Sequence, residues 1–331
     1  MSMRRPTMVW PGPGRLTLVA LCAVPAAMAY PWHTVGQRWV LGVGVAVAVL
    51  LLPWWRGAHL STMAGRRIAM LARRRREPGA PELLEHTPTQ ARTTAVLQVR
   101  PAAAVHDEDD VPQELPLPLI AGYLDRYGIR CESVRIASRD TPDRRSTFIG
   151  LTVAATPNLV ALQGRGPDIP LRRTAETVAR RLADALRELG WEATAVTGQL
   201  EVPELLGPAA AERWRTVADG STGFVSGYAV TVDDELPDTL AELWALESAE
   251  IWTVAEISAA GLAVAAAVRS ADTPAPDGPL PTLTAVRGRQ RAALAALHPM
   301  STDPVLARPG SVEVLGELSW PAVLDERVAA G

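Results

Sequence analysis

LTLVALCAVPAAMAYPWHTVGQRWVLGVGVAVAVLLLPWW, residues 16–55, governs how the rest of the chain is read. Within it Leu16–Trp32 and Trp39–Trp55 are each seventeen residues long and uncharged, at the short end of what crosses a bilayer core. Aromatic residues stand where interfacial belts belong: Trp10, Tyr30, Trp32, Trp39, Trp54 and Trp55. One apolar run alone would fit a buried core helix. Two runs joined by the short link His33–Arg38 predict a transmembrane hairpin. A cleavable signal peptide would explain the first run, but the second follows almost at once and would then have to serve as an anchor. Gly42, Gly44 and Ala46 are the small residues expected to let helices approach closely.

Outward from the hairpin, charge sets the orientation. Residues 1–76 contain eleven arginines and no Asp or Glu. Arg4, Arg5 and Arg15 precede the first run, only Arg38 lies between the runs, and Arg56, Arg66, Arg67 and Arg73–Arg76 follow the second. The positive-inside rule therefore places both ends in the cytoplasm. Ala58–Arg76 (AHLSTMAGRRIAMLARRRR) predicts a helix that continues the second span or lies on the membrane surface. Leu60, Met63, Ile68 and Leu71 then meet lipid or a partner, and Arg66, Arg67, Arg73, Arg74, Arg75 and Arg76 meet anionic headgroups or an acidic partner. The expected organisation is 1–56 for tail and hairpin, 57–90 for basic helix and Pro-rich linker, and 91–331 for a cytoplasmic domain.

That domain is a different physical object. All 36 acidic residues lie beyond residue 76, against 22 of the 33 basic ones. A net acidic body lacks the cationic face with which nucleic-acid binders displace counterions, so no nucleic acid is expected as partner. Every basic residue is arginine; without lysine, Walker-A and Schiff-base chemistry are excluded. Cys22 and Cys131 are too far apart in character to pair, which fits a reducing compartment.

Periodicity predicts strands at Thr93–Val99, Ile129–Ala137, Thr147–Val153, Trp191–Val196, Gly223–Val232 and Ser311–Leu318. A strand hairpin is expected at Ile251–Ser258 and Leu262–Arg269. Helices are expected at Leu117–Tyr127, ending on Gly128, and at Arg172–Leu189, Ala209–Val217, Asp238–Leu246 and Leu283–Leu297. Arg172–Leu189 is the clearest, with Ala175, Val178, Leu182, Leu186 and Leu189 at spacings of three and four. The predicted fold is a mixed α/β (α+β) domain with a central mixed sheet and no internal repeat.

Chemical signals are sparse. His33, His59, His86, His106 and His298 have no metal-ligand spacing, and each is expected on the surface. Asp107-Glu108-Asp109 matches the DxD pattern of metal-dependent glycosyltransferases but lies in a Pro-rich loop. Asp233-Asp234-Glu235 and the Gly164–Gly166 turn read as solvated loop and plain turn. No catalytic residue, metal or cofactor is predicted.

Thr147–Val196 runs TFIGLTVAATPNLVALQGRGPDIPLRRTAETVARRLADALRELGWEATAV. With its strand, NLVAL turn, IPL lead-in, arginine-studded helix and GW exit, it resembles the EccE family of actinobacterial type VII (ESX) secretion systems, as does the layout of hairpin, basic stretch and C-terminal domain. It is most similar to the form from the ESX locus linked to iron and zinc acquisition. The resemblance implies a non-enzymatic subunit of the inner membrane that assembles with EccB, EccC and EccD for export of small WxG-type substrates, with anionic lipid and no small-molecule substrate. The alternative is a membrane-tethered transferase using Asp107 and Asp109 with a metal and a nucleotide sugar.

Overall fold

The structure, a computed structural model, describes residues 13–28, 30–31, 33–51, 54–55, 58–75, 92–102, 114–164, 170–196 and 202–322. The chain divides into two compact units, Met1–Gly79 and Ala80–Gly331.

In the first unit, helix α1 (Pro13–Met28) packs against helix α2 (Val35–Leu51). Both lie three to four residues closer to the N-terminus than the apolar runs suggest. The cause is local: Pro31 disfavours helix at the residue before it, while Thr34 and Gln37 start α2 with a reciprocal capping box. The Thr34 hydroxyl accepts from the Gln37 N–H (3.3 Å) and the Gln37 side chain accepts from the Thr34 N–H (3.1 Å). Arg38 consequently falls inside α2 rather than in the link. At about 1.5 Å per residue the two helices measure roughly 24 and 26 Å, and none of the described helices is long and apolar enough to cross a membrane. Trp54–Trp55 then pairs antiparallel with Ala58–His59, so α3 (Leu60–Arg75) begins as a helix of its own.

The second unit is built on one eleven-stranded sheet. Its strands are β1 (Arg92–Pro101), β2 (Asp125–Arg126), β3 (Ile129–Thr141), β4 (Arg144–Ala154), β5 (Trp191–Ala195), β6 (Ala211–Glu212), β7 (Val217–Ala218), β8 (Phe224–Val230), β9 (Glu250–Ser258), β10 (Gly261–Ser270) and β11 (Leu283–Ala285). The order is β5-β1-β4-β3-β9-β10-β8-β7-β6, with β11 also on β8 and β2 on β3. Every pairing among the described residues is antiparallel, which corrects the expected mixed sheet. The reason is topological. Helix α6 (Leu171–Glu188) carries the chain from β4 to β5 and helix α7 (Leu236–Trp244) carries it from β8 to β9, each a crossover between strands of like direction. In both cases another strand, β1 or β10, fills the gap between them, as in split βαβ units.

The arrangement is a duplication that the sequence conceals. β5-β1-β4-β3 and β11-β8-β10-β9 have the same strand order relative to their own chain direction. The halves join where equivalent strands pair, β3 against β9, from Asp140↔Ile251 to Ser133↔Ser258.

Both faces of the sheet are covered. On one lie α4 (Leu117–Ala121), α6, α7 and the C-terminal segment around Trp320, packed on Leu97, Ile136, Ile149, Leu151 and Ile257. On the other lie α8 (Gln290–Ala296) and the segments near Leu205 and Val305, packed on Val96, Phe148, Trp252, Val254 and Ala265. Helix α6 lays Val178, Leu182 and Leu186 onto the sheet, each worth about 1.5–3 kcal/mol when fully buried.

Several short elements differ from expectation. Leu117–Tyr127 is helical only to Leu124, because Tyr127 (φ 56°) and Gly128 (φ 71°) form the two-residue turn joining β2 to β3. Ala209–Val217 is the β6–β7 hairpin, closed by the Arg213 N–H on the Thr216 carbonyl (2.7 Å), rather than a helix. Leu283–Leu297 splits at Gly288 (φ 72°) into β11 and α8. Ser311–Leu318 contains a 3-10 turn, Val312–Gly316, capped by the Ser311 hydroxyl. In each case tertiary pairing or a turn overrides a weak local preference.

The sheet's edges are managed differently. Alongside β8, the gap between β7 and β11 is bridged by the Gln290 amide, which accepts from Gly227 N–H (2.7 Å) and donates to the Gly227 carbonyl (3.2 Å). Along β5 the Arg187 guanidinium donates to the Ala193 carbonyl (2.6 Å), and Arg100 grips Glu192 through two hydrogen bonds of 2.7 and 2.9 Å.

Candidate functional site

The small residues of α2 divide between two surfaces. A Cβ on Gly44 would stand 3.3 Å from both Ala26 Cβ and the Cys22 carbonyl oxygen, so Gly44 lies in the α1–α2 contact. Gly42 faces open space and shares its exposed stripe with Trp39, Val43 and Ala46. On α3, Ile68 (67% exposed) and Leu71 form an outward apolar strip with Arg67 beside it, while Met63 and Arg66 are half-buried. Arg73, Arg74 and Arg75 continue the helix to its end. Arg76 lies outside the described residues.

Among the described residues the acidic candidates carry no assembled centre. Asp107, Glu108 and Asp109, with His86, His106 and Gly166, lie outside the described residues. Asp233 accepts from the Glu235 N–H (3.2 Å) in the turn that starts α7. No group of three or more His, Cys, Asp or Glu suited to a metal occurs among the described residues. His298 corrects the expectation of a surface side chain. It is buried, its Nδ1 accepts from the Met300 N–H (3.2 Å), and its carbonyl accepts from Arg135.

What the domain buries instead is ion pairs. Arg135, only 2% exposed, sits on β3 opposite Glu256 of β9 and donates to its carboxylate. The same guanidinium donates to the carbonyls of His298 (3.1 Å), Ser301 (2.8 Å) and Asp303 (2.6 Å), tying that loop to the sheet. A second chain of charges runs across β3, β9 and β10: Arg139 to Glu250 (2.5 Å), Glu250 to Arg269 (2.7 Å) and Arg269 to Asp219 (2.8 Å). Asp219 accepts from the Gly207 N–H (2.8 Å), so the network closes on the β6–β7 region.

Burial alone would raise the carboxyls of Glu250 and Asp219. Hydrogen bonds outweigh it: Arg139, Arg269 and Trp252 hold Glu250 below the usual range, and Arg269, Gly207 and Thr222 do the same for Asp219. A carboxyl depressed in the folded state contributes stability that is complete above its unfolded pKa and lost as pH falls through the folded one. Glu250→Gln is therefore expected to lower the unfolding free energy by about 2 kcal/mol at pH 7. Urea titrations of parent and variant should converge as pH drops below 4; a pH-independent difference would refute the assignment.

One surface cluster escaped the sequence reading. At the β2–β3 turn the Tyr127 ring, 59% exposed, lies 4.6 Å beneath the guanidinium of Arg181 on α6 and 5.3 Å from that of Arg126. Arg126 also covers Tyr123 at 4.7 Å, and the Tyr123 hydroxyl donates to the Arg181 carbonyl (3.0 Å). The faint signal was Tyr127 before Gly128, a bulky residue in a backbone conformation that costs L residues about 1–2 kcal/mol.

Comparison of the amino-acid sequence with known proteins finds named relatives. Residues 141–230 match the family model described as type VII ESX secretion system translocon, EccE. The chain is similar to a protein of Mycolicibacterium smegmatis named ESX-3 secretion system protein EccE3, 47% identical over 294 residues, covering 87% of this chain and 88% of that protein. A Mycobacterium tuberculosis protein of the same name is 41% identical over 322 residues, covering 94% and 93%.

Proposed function

We propose, because the chain belongs to the EccE family of type VII (ESX) secretion system components, that it serves an ESX-3 machine as a structural subunit and not as an enzyme. The observation carrying this is identity of 41–47% over most of the chain to proteins named for that system. The second unit fits the role, since its buried ionic groups are engaged with each other and with backbone.

In this reading α1 and α2 form the membrane hairpin, slightly short of a hydrocarbon core of about 30 Å. Trp39 and Trp54–Trp55 anchor the ends, and local thinning absorbs the mismatch. Gly44 holds the hairpin together. Gly42 and Ala46 meet partner helices, and α3 rests on anionic lipid through Ile68, Leu71 and Arg67, the arginine run 73–76 of the sequence adding charge for the same headgroups. The domain stands on the cytoplasmic side, and EccB, EccC and EccD are the neighbours with which it supports export of small WxG-type substrates. Mild detergent extraction of native membranes tests the role. The chain should migrate with other secretion components on a native gel, and migration only as a monomer would refute it.

Topology has its own test. The Cys131 thiol is buried and pushed up to about 12 by that burial, with Asp125 adding to the shift, so it stays protonated and unreactive. Val160, 86% exposed on α5 (Leu159–Gln163), is the better probe position. In a Val160→Cys chain, an impermeant maleimide should label above the parent's background only after the cells are permeabilised. Equal labelling of intact cells would invert the placement.

A further inference from the structure

The Arg126–Tyr127–Arg181 cluster does nothing for the fold that a shorter turn residue could not do more cheaply. Tyr127 occupies a left-handed conformation, φ 56°, with its ring beneath two guanidinium groups, against the Tyr123 ring at 6.4 Å, and otherwise largely exposed. Arg173 and Arg180 extend the same exposed face of α6, seven residues and two helical turns apart. Among the described residues Arg126, Arg173, Arg180 and Arg181 have no carboxylate within salt-bridge distance. Arg172 and Arg187 on that helix, by contrast, pair with Glu176 (2.9 Å) and Asp184 (2.6 Å). Nearby, the Asn158 side chain accepts from the Arg130 N–H (2.8 Å) and donates to the Arg130 carbonyl (2.7 Å). That joins exposed Leu159 and Val160 to the same end of β3.

We infer that this cluster docks an acidic segment of a neighbouring protein subunit. Four cations with no carboxylate partner among the described residues, on a domain whose remaining charge is strongly negative, form an island to which an anionic partner is drawn. Stacking on Tyr127 fixes the guanidinium planes while leaving in-plane N–H groups to meet carboxylates two at a time. Arg and Tyr side by side are also the residue types that concentrate binding energy at protein interfaces. A fluid lipid surface needs no such fixed spacing, which is why a polypeptide with spaced Asp or Glu is the favoured occupant.

The inference rests on the subunit role proposed above, and the test separates the two. Full-length chain carrying a benzophenone amino acid at Tyr127 is irradiated in native membranes, and the crosslinked peptide is sequenced; a native gel in parallel reports whether the chain still migrates with the secretion assembly. The expected result is a crosslink to an Asp/Glu-rich segment of another component. Arg180→Glu/Arg181→Glu should cut the yield at least tenfold, and Arg180→Lys/Arg181→Lys should retain more of it than the Glu pair does. The inference is overturned if the chain co-migrates but crosslinks to lipid, to a second copy of itself, to a segment without acidic residues, or to nothing. Failure of the parent to co-migrate removes the subunit role, and this docking point with it.

Discussion

Glu256→Ala is expected to lower the unfolding free energy by about 3–5 kcal/mol. The carboxylate is buried against Arg135, and its second oxygen accepts from the Val305 N–H (3.3 Å). Removing it leaves a guanidinium in the core with its charge uncompensated. Replacing both partners, Arg135→Met with Glu256→Met, is expected to recover part of the loss and not all of it. Arg135 also satisfies three loop carbonyls, and methionine offers them no donors. Urea unfolding followed by tryptophan fluorescence measures both, with Trp252 in the same layer as reporter. The exposed pair Arg100–Glu192 is the control, and its removal should leave the midpoint within the parent's scatter. A double variant as stable as the parent would show that the guanidinium does not organise the 298–303 loop.

Gly261→Ala should cost about 2–5 kcal/mol, strain and overpacking acting together. The residue closes the β9–β10 hairpin at φ 120°, and an added Cβ would drive into the Gly310 carbonyl oxygen. That carbonyl cannot retreat: it accepts from the Leu262 N–H (3.1 Å), while Gly310 itself is pressed against Val232. Gly220 provides the comparison. It also has a positive φ, 56°, but open space where a Cβ would go, so Gly220→Ala should show only the conformational cost of about 1–2 kcal/mol. Equal losses at the two positions would mean that the contact with Gly310 contributes nothing.

Where the sequence was legible, and where it was not, follows from range. The α6 stripe is written in the spacing of its own residues, and the β9–β10 hairpin in two apolar runs around Ala259–Gly261, so both were found within a residue or two. Strand direction is decided by which strand fills the gap under a crossover, a contact 48 to 62 residues away in the case of β1 and β4. The alternation in Ile129–Ala137 marks a strand but does not tell whether its polar face meets solvent or a second layer. Both faces are in fact covered, so Arg135 is interior and needs Glu256, 121 positions on. The duplication stayed hidden because the first half spans its last crossover with the eighteen-residue α6 and the second has no described helix between β10 and β11. Of the expected contact residues, Gly44 is turned inward to α1 and Gly42 outward, a distinction only the packed helices reveal. The Tyr127 cluster gathers side chains from two elements that sequence cannot bring together.

The arginine laid along β5 has a bearing on life in a crowded machine. A component of a multi-subunit secretion system meets its neighbours at local concentrations far above those of a dilute cytosolic protein, where a bare outer strand would template pairing with any other strand it touched. Arg187 takes up the Ala193 carbonyl and Arg100–Glu192 adds charge beside it. The outer edge of β5 is thereby a poor template for another strand.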